Sequence, residues 1–232
     1  ASDVPFVKHL PKNGRAIGID LNLDNFLTES NGSMVNNPRY YHKSKKKLAK
    51  LQRILNRRER RAKKRKCKLA NAKNYQKQRR KVAKLQAHIK QQRQNFLHLL
   101  STTLIKNHDL VVAEELRSKN LLKNHKLAQS ISDVGWRTFL TMLSYKANLY
   151  GKEFYTVDPK YTTQRCSHCG AIMGHNGYSK LTLKDREWTC PICQTHHIRD
   201  WNAAINIIEK HLGIWSNHDI NEQVQNRIKQ RY

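Results

Sequence analysis

The chain has 232 residues, 38% of them hydrophobic, and carries 45 Lys and Arg against 17 Asp and Glu, a formal net charge of +28. Such a surplus repels itself unless a polyanion neutralises it, so the composition points to a phosphate backbone as partner. No stretch approaches the ~18 apolar residues of a membrane span, and the opening ASDVPFVKHLPKNGR lacks the apolar run of a signal peptide, which disfavours a membrane partner and secretion.

Residues 1–14 read as a leader or linker. In AIGIDLNL, Ile17, Ile19, Leu21 and Leu23 alternate with Ala16, Gly18, Asp20 and Asn22, the period of a strand. SNGS then signals a turn and Pro38 ends the run, giving a hairpin-like opening to a sheet. Residues 40–106 differ in kind: within 43–68 fifteen Lys and Arg face one acid, Glu59, and no further acid appears before Asp109. Leu48, Leu51 and Leu55, then Val82, Leu85, Ile89, Phe96 and Leu100, recur at helical spacing, which predicts two long antiparallel helices with a bend around 60–76. A solvated helix interleaves charges for support between successive turns; the missing acids argue instead for a hairpin that tracks nucleic acid.

DLVVAEEL (109–116) reads as a buried central strand, residues 119–150 as mostly helix ended by Gly151, and EFYTVDP (153–159) as a further strand stopped by Pro159. Residues 161–198 carry the cysteine pairs, 200–212 form a closing helix with Gly213 in the usual stop position, and 214–232 is a polar tail. The pattern predicts an α/β sheet, residues 15–160 and 199–213, with the hairpin and the cysteine segment inserted into it. Of the five cysteines, four form two C-x-x-C pairs and Cys67 stands alone on a basic helix. That is no secreted disulfide framework, and the expected location is the cytoplasm, in association with the nucleoid.

Cys166 and Cys169 are separated by twenty residues from Cys190 and Cys193. Two residues between thiolates let both point at one ion from a tight turn, and two such turns complete a tetrahedral sulfur shell suited to Zn²⁺. Four thiolates leave no open position for water, so the zinc is expected to be structural, with His168, His196 and His197 as neighbours. The ribbon's Tyr161, Tyr178, Arg186 and Trp188 are expected to form a platform for nucleic acid.

Three acids stand apart from that shell. Asp20 shares its strand face with Gly18 and Ala16, whose small side chains leave room for something to approach. Alternation puts Glu114 with Leu110 and Val112, and Glu115 with Val111 and Ala113, and it cannot choose between the two acids if both faces are buried. Asp200 reads as a helix N-cap when taken alone. It also heads the stripe Ala203, Ala204, Ile207 and Ile208 that would pack on the sheet, where a carboxylate needs a cation. An acid on a first strand, one on a later strand and one opening the last helix can converge across a single sheet. Together they would stay ionised only with divalent cations among them.

GIDLNL (18–23), VVAEEL (111–116), LLKNHKLAQSISDVGW (121–136), YTTQRCSHCG (161–170) and REWTCPICQTHHIRDWNAAINI (186–207) closely resemble the TnpB family, RNA-guided endonucleases of insertion sequences related to type V CRISPR effectors. The resemblance runs from about residue 14 to 213. It implies a RuvC-like, RNase H-type sheet with an inserted helical hairpin and a zinc ribbon that binds target nucleic acid, and it places the family's metal-binding acids on Asp20, Glu114 and Asp200. Two departures stand out: Asn22 where the family commonly has Gly, and Ile198 in HIRD where it commonly has an acid. The family's N-terminal barrel and helical recognition region have no counterpart here, so a separate N-terminal portion or protein is an expected partner. On this reading the chain is a metal-dependent DNA endonuclease in which two Mg²⁺ (or Mn²⁺) at Asp20, Glu114 and Asp200 serve phosphodiester cleavage that leaves a 5′-phosphate. Lys45, Arg53, Arg57, Arg58, Lys64 and Arg186 would contact target DNA or guide RNA. The alternatives are a non-cleaving accessory or repressor derived from such a nuclease, and a transposase proper that uses a DNA 3′-hydroxyl as nucleophile.

Overall fold

The computed structural model describes residues 9–116, 135–175 and 177–215. Two compact units divide the chain, residues 38–98 and the remainder. Within the larger unit, β1 (Ala16–Leu21), β2 (Asn25–Glu29) and β3 (Met34–Asn36) form an antiparallel meander. β4 (Leu110–Glu114) joins the free side of β1 in parallel, and β5 (Glu153–Val157) runs parallel to β4, for a sheet order β3-β2-β1-β4-β5. The two strands flanked on both sides by parallel or mixed pairing, β1 and β4, are the apolar runs, as burial on both faces demands.

The predicted helix over 119–150 is described only from residue 135; there α3 covers Trp136–Tyr150. Its Phe139 meets Phe26 of β2 edge-on at 5.0 Å, and Gly151 closes it in the left-handed conformation at φ 67°. The closing helix, α4 (Arg199–Leu212), lies across β1 and touches β2, β4 and β5. Ile207 and Ile208 pack on Leu110 and Val112. Gly18 is where the helix comes closest: a Cβ there would stand 2.2 Å from the Ala204 carbonyl oxygen. The room that small residues leave beside Asp20 is therefore filled by α4. Ile214 and Trp215, placed in a polar tail on composition, are packed: the Ile214 amide returns to the Glu209 carbonyl at 3.0 Å and its side chain is buried.

The smaller unit is a helical hairpin of α1 (Tyr40–Lys64) and α2 (Lys73–Asn107), the latter continuing into the larger unit from Leu99. Leu55, Ala62, Val82, Ile89 and Leu97 form its buried seam. Tyr40 meets Phe96, Gln78 donates to the Leu51 carbonyl at 3.0 Å and Arg58 to the Asn74 carbonyl at 2.7 Å, the descending order of an antiparallel pair. The connection is tighter than composition suggested, residues 65–72, because α1 stays regular through Lys64; Cys67 lies in this turn, exposed, and not on a helix. No helix of the described residues is long and apolar enough to cross a membrane.

Between β5 and α4 sits the cysteine module, with β6 (Glu187–Thr189) and β7 (His196–Ile198) as an antiparallel ribbon and a lone bridge between Arg165 and Ile172. Trp188 is not the surface aromatic expected of a platform: it is buried with Cys166, Met173 and Cys190, while Tyr178, partly buried, packs against the same cluster. A module this small has few other apolar groups, so its aromatics are consumed as core.

Candidate active site and metal centre

Three elements bring the three acids together. The parallel register Ala16↔Leu110, Gly18↔Val112 puts Asp20 beside Glu114 one step further on, at the carboxyl ends of adjacent strands. Both then share the sheet face that α4 covers. Asp200 is the second residue of α4, not its cap; the cap position is Ile198, which offers no side-chain bond. Asp20 is buried, and burial, then the charges of Glu114 and Asp200, hold its carboxyl well above the usual aspartate range. Burial also raises Glu114, against a hydrogen bond from the Thr162 hydroxyl to its Oε1 and the nearby Lys210 ammonium. Glu114 and Asp200 thus make the ionisation of Asp20 harder, an arrangement a divalent cation relieves. Glu115 is exposed. Asn22, one of the departures from the resemblance, hydrogen-bonds Asp20 through its side chain.

Two guanidinium groups attend Asp200. Arg199 binds its Oδ1 through Nε and Nη2 at 3.1 and 3.0 Å, and donates to the carbonyls of Thr182 and Leu183 in the cysteine module. Arg186, half-exposed, lies 3.9 Å from Asp200 Oδ2 and pairs with Asp24 at 2.5 Å. Arg199 was not singled out from sequence; its place immediately before the helix acid was the available signal.

The four thiols meet as a set. Cys166 and Cys193 are 3.6 Å apart, Cys169 and Cys190 3.5 Å, and all four sulfurs lie within 4.8 Å of one another. Tetrahedral zinc at 2.3 Å from each sulfur requires sulfurs about 3.8 Å apart, so the donor set fits that ion with a slight expansion. Two matching turns present them: the Gly170 amide returns to the Cys166 carbonyl at 2.9 Å and the Gln194 amide to the Cys190 carbonyl at 3.0 Å, with Gly170 and Gln194 both at positive φ. His197 Nε2 sits 3.0 Å from Cys166 Sγ, a neighbour of the shell. Asp200 is outside it. Among the described residues this is the single group of three or more Cys, His, Asp or Glu drawn that close; the acid trio interacts at longer range.

A further cluster escaped the sequence reading. Arg165, fully buried, binds Glu209 Oε2 at 3.0 Å, Asn206 Oδ1 at 2.9 Å and the Trp215 carbonyl at 3.1 Å, and lies over the Trp215 ring. Asn202, Asn206 and Glu209 follow i, i+4, i+7 on α4, a polar stripe beside the apolar one.

In the hairpin, twenty-four Lys and Arg oppose one acid between residues 38 and 98. Lys45, Arg53, Arg57 and Lys64 are exposed, whereas Arg58 is half-buried and ties the two helices together.

The profile of the family described as "Probable transposase" (OrfB_IS605) matches residues 3–125, more than half of the chain. The chain belongs to that family, the TnpB proteins. A second profile, "Cas12f1-like, TNB domain", matches residues 136–207, the stretch with the cysteine module. A Streptomyces pristinaespiralis TnpB relative named "Putative RNA-guided DNA endonuclease" is 40% identical over 199 residues, 85% of this chain and 46% of that protein. One from Escherichia coli (strain K12), "Putative RNA-guided DNA endonuclease InsQ", is 32% identical over 207 residues, 83% of this chain and 48% of that one. The chain spans about half the length of these curated relatives. Its fold resembles those in a cryo-EM structure of a Cas12f1–sgRNA–target DNA complex (TM-score 0.55, 19% identity, 86% of this chain and 51% of that one) and of a CRISPR-Cas12f ternary complex (TM-score 0.56, 21% identity, 88% and 40%).

Proposed function

We propose that the chain is the endonuclease portion of an RNA-guided TnpB nuclease, with a RuvC-like sheet whose Asp20, Glu114 and Asp200 hold two Mg²⁺ or Mn²⁺ ions, and a structural Zn²⁺ in the ribbon at 161–198. The observation that carries this is the burial of Asp20 against the charges of both other acids. Such a group is stable as an anion only when cations join it. When bound, the two ions supply an activated water and charge stabilisation for the leaving oxygen of a phosphodiester.

The chain's own residues orient those ions and the strand. Arg199 occupies Asp200 Oδ1, leaving Oδ2 for a cation. Arg186, held over the site by Asp24, is positioned to exchange that carboxylate for a phosphate oxygen of target DNA. The hairpin's large excess of positive charge suits a duplex or guide RNA backbone, read without sequence. Its scarcity of aromatics argues against base stacking as the main attraction.

The test is cleavage of labelled single-stranded DNA in Mg²⁺ or Mn²⁺ by the intact chain with its copurified RNA, beside Asp20→Ala and Asp200→Ala. Cleavage confined to the intact chain is the expected result. Variants that cut as well as the intact chain overturn the acid assignment, and an intact chain that binds DNA without ever cutting it supports the non-cleaving accessory instead.

A further inference from the structure

Thr162 stands at the entrance to the cysteine module, on the first turn after β5, and is itself almost completely buried. Its hydroxyl is directed at Glu114 Oε1, with the Pro159 carbonyl 3.0 Å away as the other acceptor within reach. Its backbone is gripped from the opposite side: the Thr162 carbonyl accepts from Asn206 Nδ2 at 2.9 Å. The same amide nitrogen and Asn202 Nδ2 each donate to the Arg165 carbonyl at 2.7 Å, and Asn202 Oδ1 accepts from the Ser167 amide at 2.9 Å. Arg165 closes the grip by reaching back to Asn206 and Glu209.

These bonds form a connected chain. The helix that starts with Asp200 holds the backbone of 162–167; that backbone holds the hydroxyl that holds Glu114; and Cys166, one of the four thiols, lies inside the held segment. Glu114 ends its strand, and its Oε1 accepts the Thr162 hydroxyl. Carboxylates that ligate metals depend on such outer hydrogen bonds for their orientation, and losing one weakens metal affinity by roughly 10–100-fold.

We propose that Thr162 is the positioning residue of Glu114, and that the segment 162–167 is a bracket through which the cysteine module sets the geometry of the acid site. The proposal rests on the reading that Glu114 binds a divalent cation. It goes beyond that reading in assigning the cysteine module a part in building the site.

The experiment is Mn²⁺ binding to the full zinc-loaded chain by isothermal titration calorimetry, with zinc content and melting measured on every variant. Thr162→Ser keeps the hydroxyl and is expected to bind within about threefold of the unaltered chain; Thr162→Val removes it at nearly constant volume and is expected to bind about 10–100-fold more weakly, at unchanged zinc content. Thr162→Ala removes the hydroxyl without setting a methyl against the carboxylate, and must show the same loss even if the valine variant folds poorly. Asp20→Ala defines which binding belongs to the acid site. Valine and alanine variants that match the unaltered chain, while Asp20→Ala abolishes binding, overturn the role of Thr162 alone. Binding that is absent from the unaltered chain, or that survives Asp20→Ala, overturns the metal reading and this inference with it.

Discussion

Gly18→Ala is the smallest change that separates α4 from the sheet. Gly18 has ordinary strand dihedrals, so the substitution adds no backbone strain; what matters is that the new Cβ would stand 2.2 Å from the Ala204 carbonyl oxygen, 3.0 Å from Ile208 Cβ and 3.1 Å from the Ile208 amide nitrogen. All but one of these partners is backbone of a helix, so no flexible side chain can swing aside. Non-bonded contact begins at about 3.4 Å, and the helix must therefore retreat by about 1 Å. Overpacking of this kind costs about 1–3 kcal/mol, which for a chain of this size lowers the melting temperature by roughly 2–12 °C. The functional effect should be larger than the thermal one. Asp200 rides on the retreating helix while Asp20, two residues from the substitution, stays on the strand, and a misplacement of about 1 Å costs on the order of 100-fold in rate. Thermal unfolding and Mn²⁺ affinity are measured on the same preparation. A Gly18→Ala chain that melts within a degree of the original and binds Mn²⁺ equally well would refute the close packing of α4 on β1 as the source of the site's geometry.

Ile198 occupies the N-cap of α4 with extended dihedrals and no side-chain bond, so Ile198→Asp should supply the missing cap and raise stability by about 1 kcal/mol, read as an upward shift in urea midpoint. Cys190→Ser should abolish stoichiometric zinc by elemental analysis, and through the 162–167 bracket should also weaken Mn²⁺ binding; zinc loss with intact Mn²⁺ affinity would separate the two sites. Burial pushes Glu209 up to about 7 against the pull of Arg165. A carboxyl raised on folding contributes stability below its ordinary value of about 4.5 that is lost as pH rises through about 7, on the order of 3 kcal/mol in all, and Glu209→Gln should flatten that slope in a pH series of denaturation curves. Replacing Arg53, Arg57 and Lys64 together by Gln should reduce the slope of log binding constant against log salt by about 2–3, whereas Arg58→Gln should instead lower the hairpin's stability, because Arg58 bridges its two helices.

The parts of the fold that were legible in the amino-acid sequence are those with strong periods. The strand alternation around Asp20, the apolar seam of the hairpin and the stripe behind Asp200 each repeat often enough to declare a face. The choice between Glu114 and Glu115 was not legible from period, because β4 is buried on both sides; only the register with β1 and the cover of α4 distinguish the two faces. Trp188 was misread as a surface aromatic, although its flanks, Glu187 and Thr189, carry the alternation of a strand with one buried face. Arg165 was invisible for a different reason. One arginine among 45 basic residues carries no local mark, and its partner Glu209 is 44 residues away. The signal lay on the partner helix, where Asn202, Asn206 and Glu209 repeat at helical spacing inside an otherwise buried element.

That helix explains how costly acids can be held in so small a sheet. One side of α4 presents Ala203, Ala204, Ile207 and Ile208 to the strands, another presents Asn202, Asn206 and Glu209 to the cysteine module, and Trp201 pins its start by donating to the Ser30 carbonyl at 2.9 Å. Asp200 is fixed in the first turn among these contacts, where the unpaired backbone amides of the helix favour an anion and Arg199 adds a full positive charge. Asp20 has weaker support: it sits on a strand end, buried beside two negative neighbours whose effect, with burial, outweighs the Asn22 hydrogen bond and the Arg199 charge. The asymmetry implies that the repulsion in the cluster falls mainly on Asp20, so it is Asp20 whose ionisation should depend most on cations arriving. An Asp20→Asn chain should therefore be more stable than the unaltered chain in metal-free buffer and lose that advantage as Mn²⁺ is added, a crossing that thermal unfolding can detect. Curves that stay parallel across the Mn²⁺ series would mean that the three acids are held apart well enough to ionise unaided, and that no cation is needed to keep them together.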